Sequence, residues 1–127
     1  MILDALDRSR ESRSIYERAI TEYTRTFGPD DYKVAVAWHN LAGVERAEGN
    51  LQKAEEFARR AFILKQEILG AKHPETASSA MNLAFILFEM GSEDDARALV
   101  RGALAIFERT LAPEHPNLVR CRSFLDS

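Results

Sequence analysis

Apolar residues return at helical spacing in two long stretches of the chain, and each stretch is followed by another of the same kind. From about Tyr32 to Glu48 the stripe is Trp38, Leu41, Ala42 and Val44; from about Pro74 to Met90 it is Ala80, Leu83, Ala84 and Leu87. Steps of three and four residues place such positions on one side of an α-helix. Both stretches stop at a glycine, Gly49 or Gly91, which suits the left-handed residue that closes a helix. Asn50 and Ser92 come next and are N-cap candidates for new helices beginning at about Leu51 and Glu93. These carry Ala54, Phe57, Ala58, Ala61, Ile63 and Leu64 in one case, and Ala96, Leu99, Val100, Ala103, Leu104, Ile106 and Phe107 in the other. Pro74 and Pro116 fit the first turn of a helix, where a missing N–H breaks no hydrogen bond. Strand-type alternation is absent, and the expected class is all-α.

The two pairs are copies. A shift of 42 positions carries Gly28 onto Gly70, Ala35 onto Ala77, Asn40-Leu41-Ala42 onto Asn82-Leu83-Ala84, Gly49 onto Gly91 and Ala54 onto Ala96. A third copy joins at the edges, where Ala19, Ala61 and Ala103 align and His73-Pro74 returns as His115-Pro116. Self-similarity at such a period predicts a solenoid in which each helix pair buries its face only against neighbours. The register divides one domain, 1–127, into a partial repeat at 1–28 that is mainly a second helix, full repeats at 29–70 and 71–112, and a partial repeat at 113–127 holding a first helix only. Asp7 occupies the turn-glycine position, so the first helix is expected to run straight through it.

With that register, Trp38-x-x-Leu41-Ala42 followed by Gly49, Ala54, Ala58 and Ala61 resembles the tetratricopeptide repeat. The 42-residue period, the Asn-Leu-Ala triplets and the Gly-x-x-His-Pro loop from Gly70 to Pro74 make it similar to the kinesin-light-chain type of that repeat. Three positions depart from the pattern: Ala80 stands in place of Trp38, Glu45 where an aromatic is usual, and Ala112 in place of the loop glycine. The resemblance implies a right-handed α-solenoid of antiparallel helix pairs, with first helices lining a concave face that grips an extended peptide or helix of a partner protein. On that basis the groove positions are Val36, His39, Asn40, Gly43 and Arg46 in one repeat. Their counterparts are Ser78, Met81, Asn82, Phe85 and Glu89 in the next, with Phe88 beside them and Arg120 and Ser123 in the last helix. A clamp for a terminal carboxylate, known in some relatives, would be incomplete here: His39 stands at its lysine position, Arg120 at one basic position and Phe124 at the other.

Asn40 and Asn82 are the leading ligand contacts, because a carboxamide offers both a donor and an acceptor to a peptide backbone. An inter-helix hydrogen bond is their alternative use. Met81, Phe85 and Phe88 add a second apolar stripe to a helix that already has one, so it needs cover on two sides, from a neighbouring repeat or from a ligand.

Charge changes the picture little. Seventeen Lys and Arg against twenty Asp and Glu leave a formal charge of −3, with no basic block for nucleic acid or an anionic membrane. No segment is apolar enough to span a bilayer, Met1 to Arg13 is too charged for a signal peptide, and the single cysteine, Cys121, forbids an internal disulfide. A cytoplasmic location is expected. Glu93, Asp94 and Asp95 after Ser92 read as a helix start with a Ser-x-x-Asp capping box rather than a metal site, and His73 and His115 read as cap or loop residues. No phosphate loop, zinc-protease helix or nucleophile elbow occurs, and neither an enzyme nor a cofactor or metal is expected. The function expected is protein interaction through the concave face. The alternative is a self-associating section of a larger regulatory or scaffold protein, joined through terminal helices that lack caps: Ile15, Ile20 and Tyr23 at one end, Phe124 and Leu125 at the other.

Overall fold

The computed structural model describes residues 2–127, with side chains from Arg8 onward. Among these residues six helices follow one another: α1 (Ile2–Phe27), α2 (Tyr32–Ala47), α3 (Leu51–Leu69), α4 (Pro74–Glu89), α5 (Glu93–Thr110) and α6 (Pro116–Asp126). The expected helices are all present, and no strand occurs among the described residues. α1 runs unbroken through Asp7, as the missing turn glycine predicts.

The turns follow from the punctuation. Gly49 and Gly91 have φ of +82° and +89°, a region that costs an L-residue with a Cβ about 1–2 kcal/mol. Each closes its helix with the same pair of bonds: Asn50 N donates to Glu45 O and Gly49 N to Arg46 O, while Ser92 N donates to Leu87 O and Gly91 N to Phe88 O. The next helix then starts after a three-residue turn and folds back on the one before. His73 and His115 are N-caps, with each Nδ1 accepting from the backbone N–H two residues on (Glu75 and Asn117, both at 3.1 Å), and Pro74 and Pro116 follow in the first turn. The capping box at Ser92 does not form. Its backbone sits at φ −89°, ψ 65°, outside the extended region that aims a cap side chain at the helix, and the hydroxyl makes no cap bond. The three acids remain in the first turn, where the helix dipole favours them.

The chain divides into two compact units, Met1–Leu64 and Lys65–Ser127, with the boundary inside α3. In the first, α1 packs on α2, and α2 packs on the early part of α3. Val34, Ala35 and Leu64 form a core cluster flanked by Trp38, which lies 5.2 Å from the Phe57 ring and under the Arg60 guanidinium at 5.0 Å. Ala54, Ala58 and Ala61 are buried along one side of α3. Ile63, expected with this core, is 46% exposed; it is two residues from Ala61 and so points to the other side of the helix. In the second unit α5 packs on both α4 and α6. Leu83, Ala84, Val100, Phe107, Leu118 and Cys121 are sealed from water there. Full burial of a side chain the size of Val100 or Phe107 contributes about 1.5–3 kcal/mol.

One core position breaks the hydrophobic rule. Glu45, at the repeat's aromatic position, is 1% exposed. Its Oε1 accepts from Arg13 Nε of α1 at 2.6 Å and its Oε2 from Asn50 Nδ2 at 3.1 Å, and Arg13 also pairs with Glu48. No described residue of α1 is itself fully buried, and this charged contact joins α1 to the buried carboxylate of α2.

Candidate protein-binding surface

The proposed groove positions lie on α2 in the first unit and on α4 and α6 in the second. In the first unit Val36, His39, Asn40, Gly43 and Arg46 share a stripe of α2 because they recur at three- and four-residue steps. Val36, His39, Asn40 and Arg46 are half-buried and Gly43 is exposed. This face is polar with one aliphatic contact, and nothing fills the space above Gly43 within 4 Å of where a Cβ would sit.

In the second unit Ser78, Met81, Asn82, Phe85, Phe88 and Glu89 lie on α4, and Arg120 and Ser123 on α6. The second apolar stripe of α4 is divided in its use. Met81 is 2% exposed and belongs to the core; Phe85 is half-buried; Phe88 is 45% exposed. Phe124 of α6 closes against both phenylalanines, with ring centroids at 5.5 Å from Phe85 and 5.3 Å from Phe88 and interplanar angles of 62° and 74°. Edge-to-face geometry of this kind adds about 0.5–1.5 kcal/mol per pair beyond the area buried. Two cations complete the cluster: Arg120 sits 5.1 Å from the Phe85 centroid and Arg97 of α5 sits 5.7 Å from that of Phe124. Arg97 is held in place by Glu93 one turn earlier at 3.1 Å and by the carbonyls of Leu125 and Ser127 at 3.1 and 2.9 Å. Arg120 is exposed, so this face presents an aromatic edge and a guanidinium side by side to solvent.

Arg97 is not among the positions that the sequence singles out, and Phe124, expected as an uncapped end residue and at a basic position of the incomplete clamp, is packed on Phe85 and Phe88. A signal was there for the second: the 42-residue register puts Asn40, Asn82 and Phe124 at one position, and the change from amide to aromatic falls opposite the α4 phenylalanines. Arg97 carries no such mark.

The remaining candidate chemistry is structural. Cys121 is fully buried, and burial pushes its thiol above the ordinary value despite the opposing effect of Arg120, so it is a packing residue and not a reactive one. Among the described residues no cluster of three or more His, Cys, Asp and Glu is arranged to hold a metal ion. No helix there is long and apolar enough to cross a membrane.

Sequence profiles of the tetratricopeptide repeat match residues 1–62, 33–91 and 76–117, and the chain belongs to that family. Among solved structures, a Podosopora anserina putative kinesin light chain with nearly identical TPR-like repeats superposes with a TM-score of 0.85 at 24% identity, over 94% of this chain and 56% of that one. BtubC (BKLC) from P. vanneervenii gives 0.85 at 22% identity, over 94% and 48%. The fold is therefore the tetratricopeptide solenoid of kinesin-light-chain type. Curated relatives include clustered mitochondria protein homologs of Aspergillus fumigatus, 26% identical over 92% of this chain, and Aspergillus niger, 26% identical over 85%. The chain spans 9% of the length of either.

Proposed function

We propose that this chain is a protein-interaction module, without catalysis of its own, that binds a peptide or helical segment of a partner protein in the cytoplasm. Family membership supports protein binding in general. The observation that carries the finer reading is the α4–α6 face, where the exposed edge of Phe88 stands with Arg120 over a preorganised aromatic cluster. Aromatic and arginine side chains fixed in place lose little entropy on binding and are the residue types that dominate interface energetics. On the α2 face, His39, Asn40 and Arg46 supply polar contacts suited to a peptide backbone. On α4 and α6, Asn82, Glu89, Ser78 and Ser123 offer further polar groups, while Met81 is buried and contributes packing. The test is affinity capture from a cell extract with the wild-type chain, Phe88→Ala and Arg120→Glu, followed by calorimetry on each protein recovered. Partners lost with both variants, while helicity is unchanged, support the reading; partners held equally by all three proteins overturn it.

A second reading, self-association within a larger assembly, is favoured at one end only. Phe124 is packed and Leu125 half-buried, whereas Ile15 of α1 is 61% exposed.

A further inference from the structure

Gly43 stands in the interior of α2, one turn before its end, at a position for which the fold itself supplies no reason. Glycine is the weakest helix former after proline. Inside a helix it has three physical uses: a left-handed backbone, close approach by another part of the fold, or close approach by something bound. The first does not apply, because the glycines with positive φ are Gly28, Gly49, Gly70 and Gly91. Nor does the second, since a Cβ built at Gly43 would meet nothing within 4 Å. At the equivalent position of α4, Phe85 is met by Phe124 of α6, so the neighbour at this position of the repeat comes from later in the chain.

The surroundings of Gly43 identify the third use. His39 and Asn40 lie one turn before it and Arg46 one turn after, on the same side of the helix, and all three are half-buried. Gly43 is therefore the exposed floor of a shallow notch with polar walls. Gly102 of α5 also has an open Cβ position and no positive φ, but it stands among Ala98, Arg101 and Ala105, all exposed, and has no such walls.

The walls also decide what fits. Val36 is the one branched aliphatic side chain of this stripe, too little to receive an amphipathic helix, which presents roughly three to four apolar residues per two turns. An extended main chain needs a donor and an acceptor instead, and the Asn40 carboxamide has both. The missing Cβ lets that main chain come close. His39 and Arg46 are both basic residues, so charge complementarity asks for a carboxylate on the peptide. We infer, on the basis of the peptide-binding function proposed above, that Gly43 sets the specificity of the α2 face. It seats the main chain of an extended partner peptide against Asn40, with a carboxylate side chain of that peptide directed to Arg46.

The probe is a phage-displayed library of random nonapeptides panned over the 127-residue chain, with the enriched peptides synthesised and measured by fluorescence anisotropy. Enriched peptides are expected to share an Asp or Glu at one position. Gly43→Ala should raise the urea midpoint of unfolding by about 0.5 M and yet weaken binding on the order of tenfold, so the loss cannot come from unfolding. Gly43→Leu should abolish binding. Gly102→Ala should raise the midpoint by a similar amount and leave binding unchanged. Arg46→Glu should weaken binding, and replacing the shared acid of the peptide by Lys should restore it. A Gly43→Ala chain that binds as the wild type does, or that is less stable than the wild type, overturns the role of Gly43. A charge exchange that restores nothing overturns the carboxylate contact. If the peptides are still lost with Phe88→Ala and Arg120→Glu, the peptide-binding function stands without either. A wild-type chain that enriches no peptide overturns that function as well.

Discussion

Arg13 and Glu45 form an ion pair at 2.6 Å in which the carboxylate side chain is 2% exposed and the guanidinium 27%. A carboxylate taken out of water is tolerated only while its partners remain, and here the principal partner comes from a different helix.

Arg13→Ala should therefore destabilise the first unit by about 3 kcal/mol or more, the cost of leaving a buried charge uncompensated. Arg13→Met combined with Glu45→Leu should cost much less, because an apolar pair of similar volume needs no compensation. Urea unfolding followed by circular dichroism compares the two; equal losses would mean that packing volume, and not charge pairing, holds α1.

Phe124→Ala and Phe88→Ala should separate stability from binding. Phe124 joins two rings and a guanidinium, and its removal should cost the second unit about 2 kcal/mol, below the value for a fully buried phenylalanine because it is half-exposed. Phe88, at 45% exposure, should cost under about 1 kcal/mol in the same unfolding assay and yet weaken partner binding.

Ser79→Ala should stabilise the chain by about 1 kcal/mol, read as a raised urea midpoint. The Ser79 hydroxyl is buried and finds no hydrogen-bond partner, so it carries a desolvation penalty with no return. Its repeat counterparts are Ala37 and Cys121, both buried and neither burdened in this way.

Lys65 gives a pH signature. Burial pushes its ammonium below the ordinary value of 10.5, partly opposed by Glu75. The native state then releases this proton before the unfolded state does, so the unfavourable contribution of Lys65 is full below its folded pKa and fades as pH rises from there toward 10.5. Lys65→Met should be more stable than the wild type near neutrality, and the difference should shrink in alkaline solution. A difference that is constant with pH would exclude a charge origin.

The helices, their order and their turns were legible because each boundary has a local cause. Gly49 and Gly91 impose positive φ, His73-Pro74 and His115-Pro116 start helices, and small residues at Ala54, Ala61, Ala96 and Ala103 mark close approach. Ser92 failed as a capping box because cap geometry depends on a backbone angle that residue type alone does not determine. The geometry of the candidate face was legible only in part. Position on α2 or α4 could be read from the period, but Met81 and Phe88 have the same apolar character and opposite exposure, which only the placement of neighbouring helices decides. Arg13 and Glu45, 32 residues apart, belong to that same class of long-range fact.

That buried pair also sorts helices. One repeat after Arg13 the chain has Glu55, and one repeat after Glu45 it has Leu87. Were α3 to take the place of α1 on α2, Glu55 would confront the sealed Glu45; were α1 to settle on α4, Arg13 would be stranded against Leu87. An array of look-alike modules runs a standing risk of assembling in the wrong sequence, and a single mismatched charge acts as a parity check on the order.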